Sequence, residues 1–316
     1  MLKVENLISI HELSVEDIKL IFKTTADLKE KQKKGEEFLP LKGKTLAMIF
    51  EKPSTRTRVS FEVGMFQLGG HALYLNANDI QLRRGETIGD TAKTLSRYVD
   101  AIVIRTFDHN NVIDLAFQAD VPVINALSDL LHPCQALADI YTLFEHRGQL
   151  QGLKIAYIGD GNNVAHSLMY GAAKVGIDIS LACPKGYYPN QYITEKAMED
   201  AKHSKSKIVI TEDPYEAVKN ADVIYTDVWA SMGQEKEAAD RKKIFMPYQV
   251  NKKLVDASKK DVLIMHCLPA HRGEEITDEV IDGPNSVVFD EAENRLHVQK
   301  SLLYLLITAS EQKKKK

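Results

Sequence analysis

The chain has 316 residues, 44% apolar and 27% charged, with a formal net charge of −3 at pH 7. That length exceeds what one compact core usually holds, so two domains are expected. The scattered, balanced charge argues against a nucleic-acid partner, and no apolar stretch reaches membrane-spanning length. Cys134, Cys183 and Cys267 are widely spaced and form no Cys-x-x-Cys pair. With an opening that lacks a signal-peptide layout, they fit a reducing cytoplasm, without a disulfide framework or a thiolate metal site.

In chain order, an amphipathic helix is expected over 15–31, followed by short apolar runs that alternate with helical patterns. A first set of strands is expected at 45–50, 72–75, 101–105 and 121–124. A second set is expected at 154–158, 177–182, 208–211, 223–225, 262–266 and 287–289. This alternation implies βαβ units and hence an α/β protein with two doubly wound domains, each a central parallel sheet flanked by helices. The break is placed at Arg147-Gly-Gln-Leu-Gln-Gly152, where a long helix from Cys134 meets a glycine able to cap it. A last helical pattern over 298–310 carries Leu302, Leu303, Leu305 and Leu306 and could pack on either domain.

Ligands of open parallel sheets sit beyond the carboxyl ends of the strands. Five polar segments fall there. Ser54-Thr-Arg-Thr-Arg58 follows an apolar strand and opens a helix. It offers hydroxyls, N–H groups and guanidinium forks suited to phosphate, although a Ser/Thr cap followed by solvated arginines reads equally well. Arg105 closes the strand Ala-Ile-Val-Ile-Arg, where a cation needs an anionic partner from the protein or a ligand. In His132-Pro-Cys-Gln135 a donor and an acceptor stand side by side, as a carboxamide would require, though helix capping alone explains them. Asp227 ends a strand and leads through Ser231-Met-Gly233 into a charged, helix-poor stretch to Met246. An acid and a mobile lid suit an amino-group ligand; an ordinary surface loop is the plain alternative.

In His266-Cys-Leu-Pro269 a Cys–His nucleophile is conceivable. Adjacent strand residues point to opposite faces, however, so such a dyad is not expected. Gly159-Asp-Gly-Asn-Asn-Val164 resembles the opening of a dinucleotide fingerprint, but Val164 replaces the third glycine. The next strand, ending Leu181-Ala-Cys-Pro184, supplies no acid for a ribose, so NAD is discounted. A tight turn, or a polar ligand contact through Asn163, remains.

Taken together, the segments at 54–58, 132–135, 227–233 and 266–269 resemble the carbamoyltransferase family over nearly the whole chain, and the last two resemble its ornithine branch. The resemblance implies transfer of a carbamoyl group from carbamoyl phosphate to ornithine, with a lean towards arginine synthesis over arginine breakdown. It implies a carbamoyl phosphate domain over 1–148, a C-terminal helix at about 296–316 packing back on it, and an ornithine domain over 149–295. Carbamoyl phosphate contacts are implied for Ser54, Thr55, Arg56, Thr57, Arg105, His132, Pro133, Cys134, Gln135, Cys267, Leu268 and Arg295. Gln81, in Asp79-Ile-Gln-Leu-Arg-Arg-Gly-Glu86, would be lent by a neighbouring subunit of a homotrimer with sites at subunit interfaces. Ornithine contacts are implied for Asn163, Asp227, Ser231 and Met232. Arg56, Arg105, His132, Gln135, Asp227 and Cys267 would carry the catalysis, without metal or organic cofactor. An amino-acid-binding protein on the same fold, without chemistry, is the competing class.

Overall fold

A computed structural model describes residues 2–80, 85–230 and 237–314. The fold is α/β, with one four-stranded and one five-stranded sheet, both wholly parallel. The chain divides into two compact units, 1–137 with 293–316, and 138–292.

The first unit begins with α1 (Val15–Lys33), started by a reciprocal capping box between Ser14 and Asp17. β1 (Thr45–Phe50), α2 (Thr55–Gln67), β2 (His71–Asn76), α3 (Ile88–Leu95), β3 (Ala101–Arg105), α4 (His109–Gln118) and β4 (Val123–Leu127) follow. The strand order is β2-β1-β3-β4. β1, β3 and β4 are buried nearly along their whole lengths and mostly apolar, Arg105 and Asn125 apart, as strands of a parallel sheet covered on both faces are. Their core joins Ile49, Ile102 and Ile104 to Val112 and Leu115 of α4. Each such side chain, fully buried, contributes about 1.5–3 kcal/mol.

α5 (Pro133–Arg147) ends before Gly148, whose φ of +72° a side chain would strain. The second unit continues with β5 (Lys154–Ile158), α6 (Asn163–Val175), β6 (Asp178–Ala182), α7 (Gln191–Ser204), β7 (Ile208–Thr211), α8 (Pro214–Val218) and β8 (Val223–Thr226). α9 (Ala238–Phe245), α10 (Lys252–Val255), β9 (Leu263–His266) and α11 (Asp278–Ile281) complete it, in strand order β7-β6-β5-β8-β9.

The last helix, α12 (Val288–Lys314), starts in the second unit and ends in the first. Leu302, Leu303, Leu306 and Ile307 of α12 are buried there. Lys300 donates to Gln32 and Gln67, and Ser301 to the carbonyl of Ile21.

Two local expectations are corrected. Residues 287–289 are not a strand. The chain meets β9 at the bridge between Ser286 and Ile264, where the Ile264 N–H donates to the Asn285 carbonyl and the Val287 N–H to the Ile264 carbonyl, then enters α12. The stretch after Lys236 is not helix-poor, because α9 forms there, burying only Arg241 and Phe245. Among the described residues, no helix is long and apolar enough to cross a membrane.

Candidate active site

Each strand order reverses once, between β1 and β3 and between β5 and β8. Such switch points open a crevice at the carboxyl ends of the strands.

In the first unit, Phe50 and Arg105 are register partners, so the loop after β1 lies beside the end of β3. Ser54 caps α2, its hydroxyl accepting the N–H of Thr57 at 3.3 Å. The first turn of a helix presents N–H groups that have no partner within it. Thr55 is exposed, Ser54 and Arg56 are half-buried, and Thr57 is buried. Arg105 and His132 are buried, and Pro133 opens α5 with Cys134 and Gln135 in its first turn. Arg295, from α12, ties these elements together. It donates to Gln135 Oε1 through Nη1 and to Thr57 Oγ1 through Nη2 at 3.1 Å. With its amide turned so that oxygen faces the guanidinium, Gln299 accepts from Arg295 Nη2 at 2.9 Å and Nε at 3.2 Å.

The electrostatics of this cluster are one-sided. Burial first, then the positive charges of Arg295, Arg105 and Arg56, hold the His132 imidazole well below its ordinary pKa. It is therefore neutral at pH 7 and able to donate a hydrogen bond without adding charge. Cys134 is a buried thiol that donates to the Asn125 carbonyl, and burial pushes its pKa up to about 12. It is a packing group, not a nucleophile.

In the second unit, Ile158, Thr226 and His266 align across β5, β8 and β9. The residues that follow them meet. Cys267 Sγ donates to Asp227 Oδ1 at 2.9 Å, and the Val228 N–H donates to the same oxygen at 2.8 Å. Asn162 Nδ2 donates to Asp227 Oδ2 at 2.8 Å. Gly161 makes the tight turn possible, since a Cβ there would come within 2.2 Å of the Pro189 nitrogen.

His266 is committed elsewhere. Its Nδ1 accepts the Leu268 N–H at 2.8 Å, which leaves the proton on Nε2 to be donated to Glu275 at 3.0 Å. The imidazole can neither deprotonate Cys267 nor offer a lone pair to a metal, although Asp227, His266 and Cys267 bring potential ligand atoms within 4.8 Å of one another. Burial, followed by the charges of Asp227 and Glu291, raises the Cys267 pKa well above the ordinary thiol value. Leu268 takes a left-handed φ of +55°, a conformation that costs a branched side chain energy and often marks functional loops.

The structure thus brings Ser54, Thr57, Arg105, His132, Gln135 and Arg295 into one cluster, and Asp227 and Cys267 into another. Asn163, half-buried, opens α6, and its neighbour Asn162 bonds to Asp227. Sequence reasoning passed over Asn162. Its position immediately before a helix was the available signal. Gln81, Ser231 and Met232 lie outside the described residues. A cavity of about 800 Å³, lined by Ile8, Ile113, Phe117, Pro122 and Leu306, contains none of the site residues.

Two family models match the chain. The carbamoyl-P binding domain of aspartate/ornithine carbamoyltransferase matches residues 5–145, and the Asp/Orn binding domain matches residues 151–306. A protein of Anoxybacillus flavithermus named ornithine carbamoyltransferase is 59% identical over 306 residues, 97% of this chain and 98% of its own. A Pyrococcus furiosus protein named as the anabolic ornithine carbamoyltransferase is 60% identical over 302 residues, covering 96% of each chain. A solved structure of ornithine carbamoyltransferase from Pyrococcus furiosus superposes with a TM-score of 0.92 at 60% identity, over 94% of this chain and 95% of that one. With both domain models matched in order and near-complete coverage of such relatives, the chain belongs to the aspartate/ornithine carbamoyltransferase family.

Proposed function

We propose that the protein transfers the carbamoyl group of carbamoyl phosphate to the δ-amino group of L-ornithine, giving L-citrulline and phosphate, as a step of arginine synthesis in the cytoplasm. The observation that carries this reading is the set of three arginines, Arg56, Arg105 and Arg295, whose charges converge on a buried, neutral His132 beside a helix N-terminus. Such a site suits a small phosphate compound bearing a carbonyl.

In the reaction a neutral amine attacks the carbamoyl carbon, the new C–N bond forms, the bond to phosphate breaks, and the proton lost by the amine goes to the departing phosphate. The δ-ammonium of ornithine titrates near 10, as lysine does, so binding must favour the free amine. Arg105, neutral His132 and the Thr57 hydroxyl stabilise the developing oxyanion, usually the largest catalytic contribution. Arg56, with Ser54 and Thr55, neutralises the departing phosphate. Gln135 already accepts from Arg295, and an amide oxygen can accept a second hydrogen bond, here from the carbamoyl NH2. Cys267 and Leu268 act through position rather than covalently.

Asp227 faces the α-ammonium of ornithine, with Asn163, Ser231 and Met232 completing that site. Carbamoyl phosphate binds the domain spanning 1–148, and ornithine the domain spanning 149–295. A homotrimer, in which Gln81 serves a neighbouring subunit, follows from the family resemblance, and no metal or organic cofactor takes part. Citrulline formation by the purified protein from carbamoyl phosphate and ornithine is the test. Ornithine binding without product would instead favour an amino-acid-binding protein on this fold.

A further inference from the structure

Asn162 has two jobs that pull on one side chain. Its Oδ1 caps α6, accepting the N–H groups of Val164 at 2.9 Å and Ala165 at 3.1 Å. The same oxygen accepts the Tyr157 hydroxyl at 3.2 Å. Three donors around one oxygen fix the rotation of the amide, because turning it would set NH2 against N–H and O–H groups. Nδ2 is then set so that one of its N–H groups donates to Asp227 Oδ2 at 2.8 Å. Tyr157 is itself held, stacked on Tyr225 with ring centroids 5.8 Å apart. Burial, with the charges of Asp227 and Asp160, raises its hydroxyl pKa well above the ordinary tyrosine value, so it stays a donor. On the opposite oxygen, Asp227 is held by Val228 and Cys267. One carboxylate is thus pinned at both ends, from β8 and β9 on one side and from the start of α6 on the other.

We infer that Asn162 is a positioning residue: it borrows the rigidity of the α6 cap to fix the orientation in which Asp227 meets the amino group of its ligand. This rests on the reading of Asp227 as an ammonium partner. The alternative is that Asn162 caps a helix and does nothing else.

Three substitutions separate the two. Asn162→Ser keeps a capping oxygen but is too short to bring a donor to Asp227, Asn162→Ala removes cap and tether together, and Tyr157→Phe removes only the hydroxyl that pins Oδ1. Thermal unfolding and steady-state kinetics with each substrate varied would be measured on the intact oligomer. Positioning predicts that Asn162→Ala lowers Tm and Asn162→Ser largely restores it, while both raise the ornithine KM by about 10- to 100-fold, the scale of a lost hydrogen bond to a charged group. The carbamoyl phosphate KM should stay within about twofold, and Tyr157→Phe should give a smaller rise of about threefold in the ornithine KM, since it loosens the tether without removing it. If Asn162→Ser restores both Tm and the ornithine KM, or if both substrates' KM values rise together, the positioning role is wrong. A wild-type chain that forms no citrulline removes the reading beneath the inference; normal wild-type turnover with an unchanged ornithine KM in Asn162→Ser removes the inference alone.

Discussion

Replacing Asp227 by Asn changes no volume and opens no cavity, so its effects come from charge and hydrogen bonding alone. Asp227 is 7% exposed, and its carboxylate accepts three hydrogen bonds, from Val228, Cys267 and Asn162. An amide cannot satisfy all three. With NH2 placed at Oδ1 it faces the Val228 N–H, which cannot turn away. With NH2 placed at Oδ2 it faces Asn162 Nδ2, which the α6 cap holds in place. Either orientation leaves a buried donor unpaired at a cost of about 1–3 kcal/mol, lowering Tm by roughly 2–10 °C. The ligand loses more. Removing one member of a buried charge pair costs about 2–5 kcal/mol, or roughly 30- to 5,000-fold in ornithine kcat/KM. The carbamoyl phosphate KM should move by less than about threefold, since Arg56, Arg105, His132 and Arg295 are untouched. The assay is citrulline formation with each substrate varied at saturating levels of the other. An unchanged ornithine kcat/KM together with a displaced carbamoyl phosphate KM would refute the reasoning and reassign Asp227.

Four further outcomes are expected. Cys267→Ser should retain measurable turnover, because the thiol is protonated on Asp227 and His266 is occupied by Leu268 and Glu275; trapping a carbamoyl-cysteine by rapid quench without ornithine would contradict this. Arg295→Lys should raise the carbamoyl phosphate KM and cost at least about 3 kcal/mol of stability, since an ammonium cannot span Gln135 and Thr57 as the guanidinium does; a wild-type denaturation curve would exclude this tie.

His132 contributes stability that is lost as pH falls below about 6.5, where the unfolded imidazole takes up a proton that the buried one refuses. Urea unfolding from pH 6.5 to 5 should therefore be less steeply pH-dependent in His132→Gln, by up to about 1.4 kcal/mol per pH unit, and parallel curves would argue against a depressed pKa. Finally, mixing inactive Gln81→Ala and Arg105→Ala subunits should restore some activity if sites are shared between subunits, and verified exchange without recovery would argue against the shared site.

Much of the fold was legible because its strands are short apolar runs between helical patterns, a signal that does not depend on distant residues. The run at 287–289 misled for a physical reason. Val287, Val288 and Phe289 look like a strand, yet Asp290, Glu291 and Ala292 continue them as a helix, and too few residues precede the turn of the chain to decide by periodicity. The helix over Ala238–Phe245 was hidden by charge, since only Arg241 and Phe245 face inward.

Of the candidate site, the sequence by itself determined the pieces that are local: hydroxyls and arginines at the start of α2, His132 before α5, an acid just after β8, a thiol after β9. Each sits at a strand end or helix start that its own neighbours specify. Only the tertiary structure decided which pieces meet. Arg295 reaches Thr57 and Gln135 across 238 and 160 residues of chain because α12 docks in the first unit. Asp227 meets Asn162 and Cys267 because β8 lies between β5 and β9 in register. Strand order and register are set by how whole helices cover the sheets, so the proton on His266 Nε2, the neutrality of His132 and the tether from Asn162 follow from packing that no stretch of sequence contains.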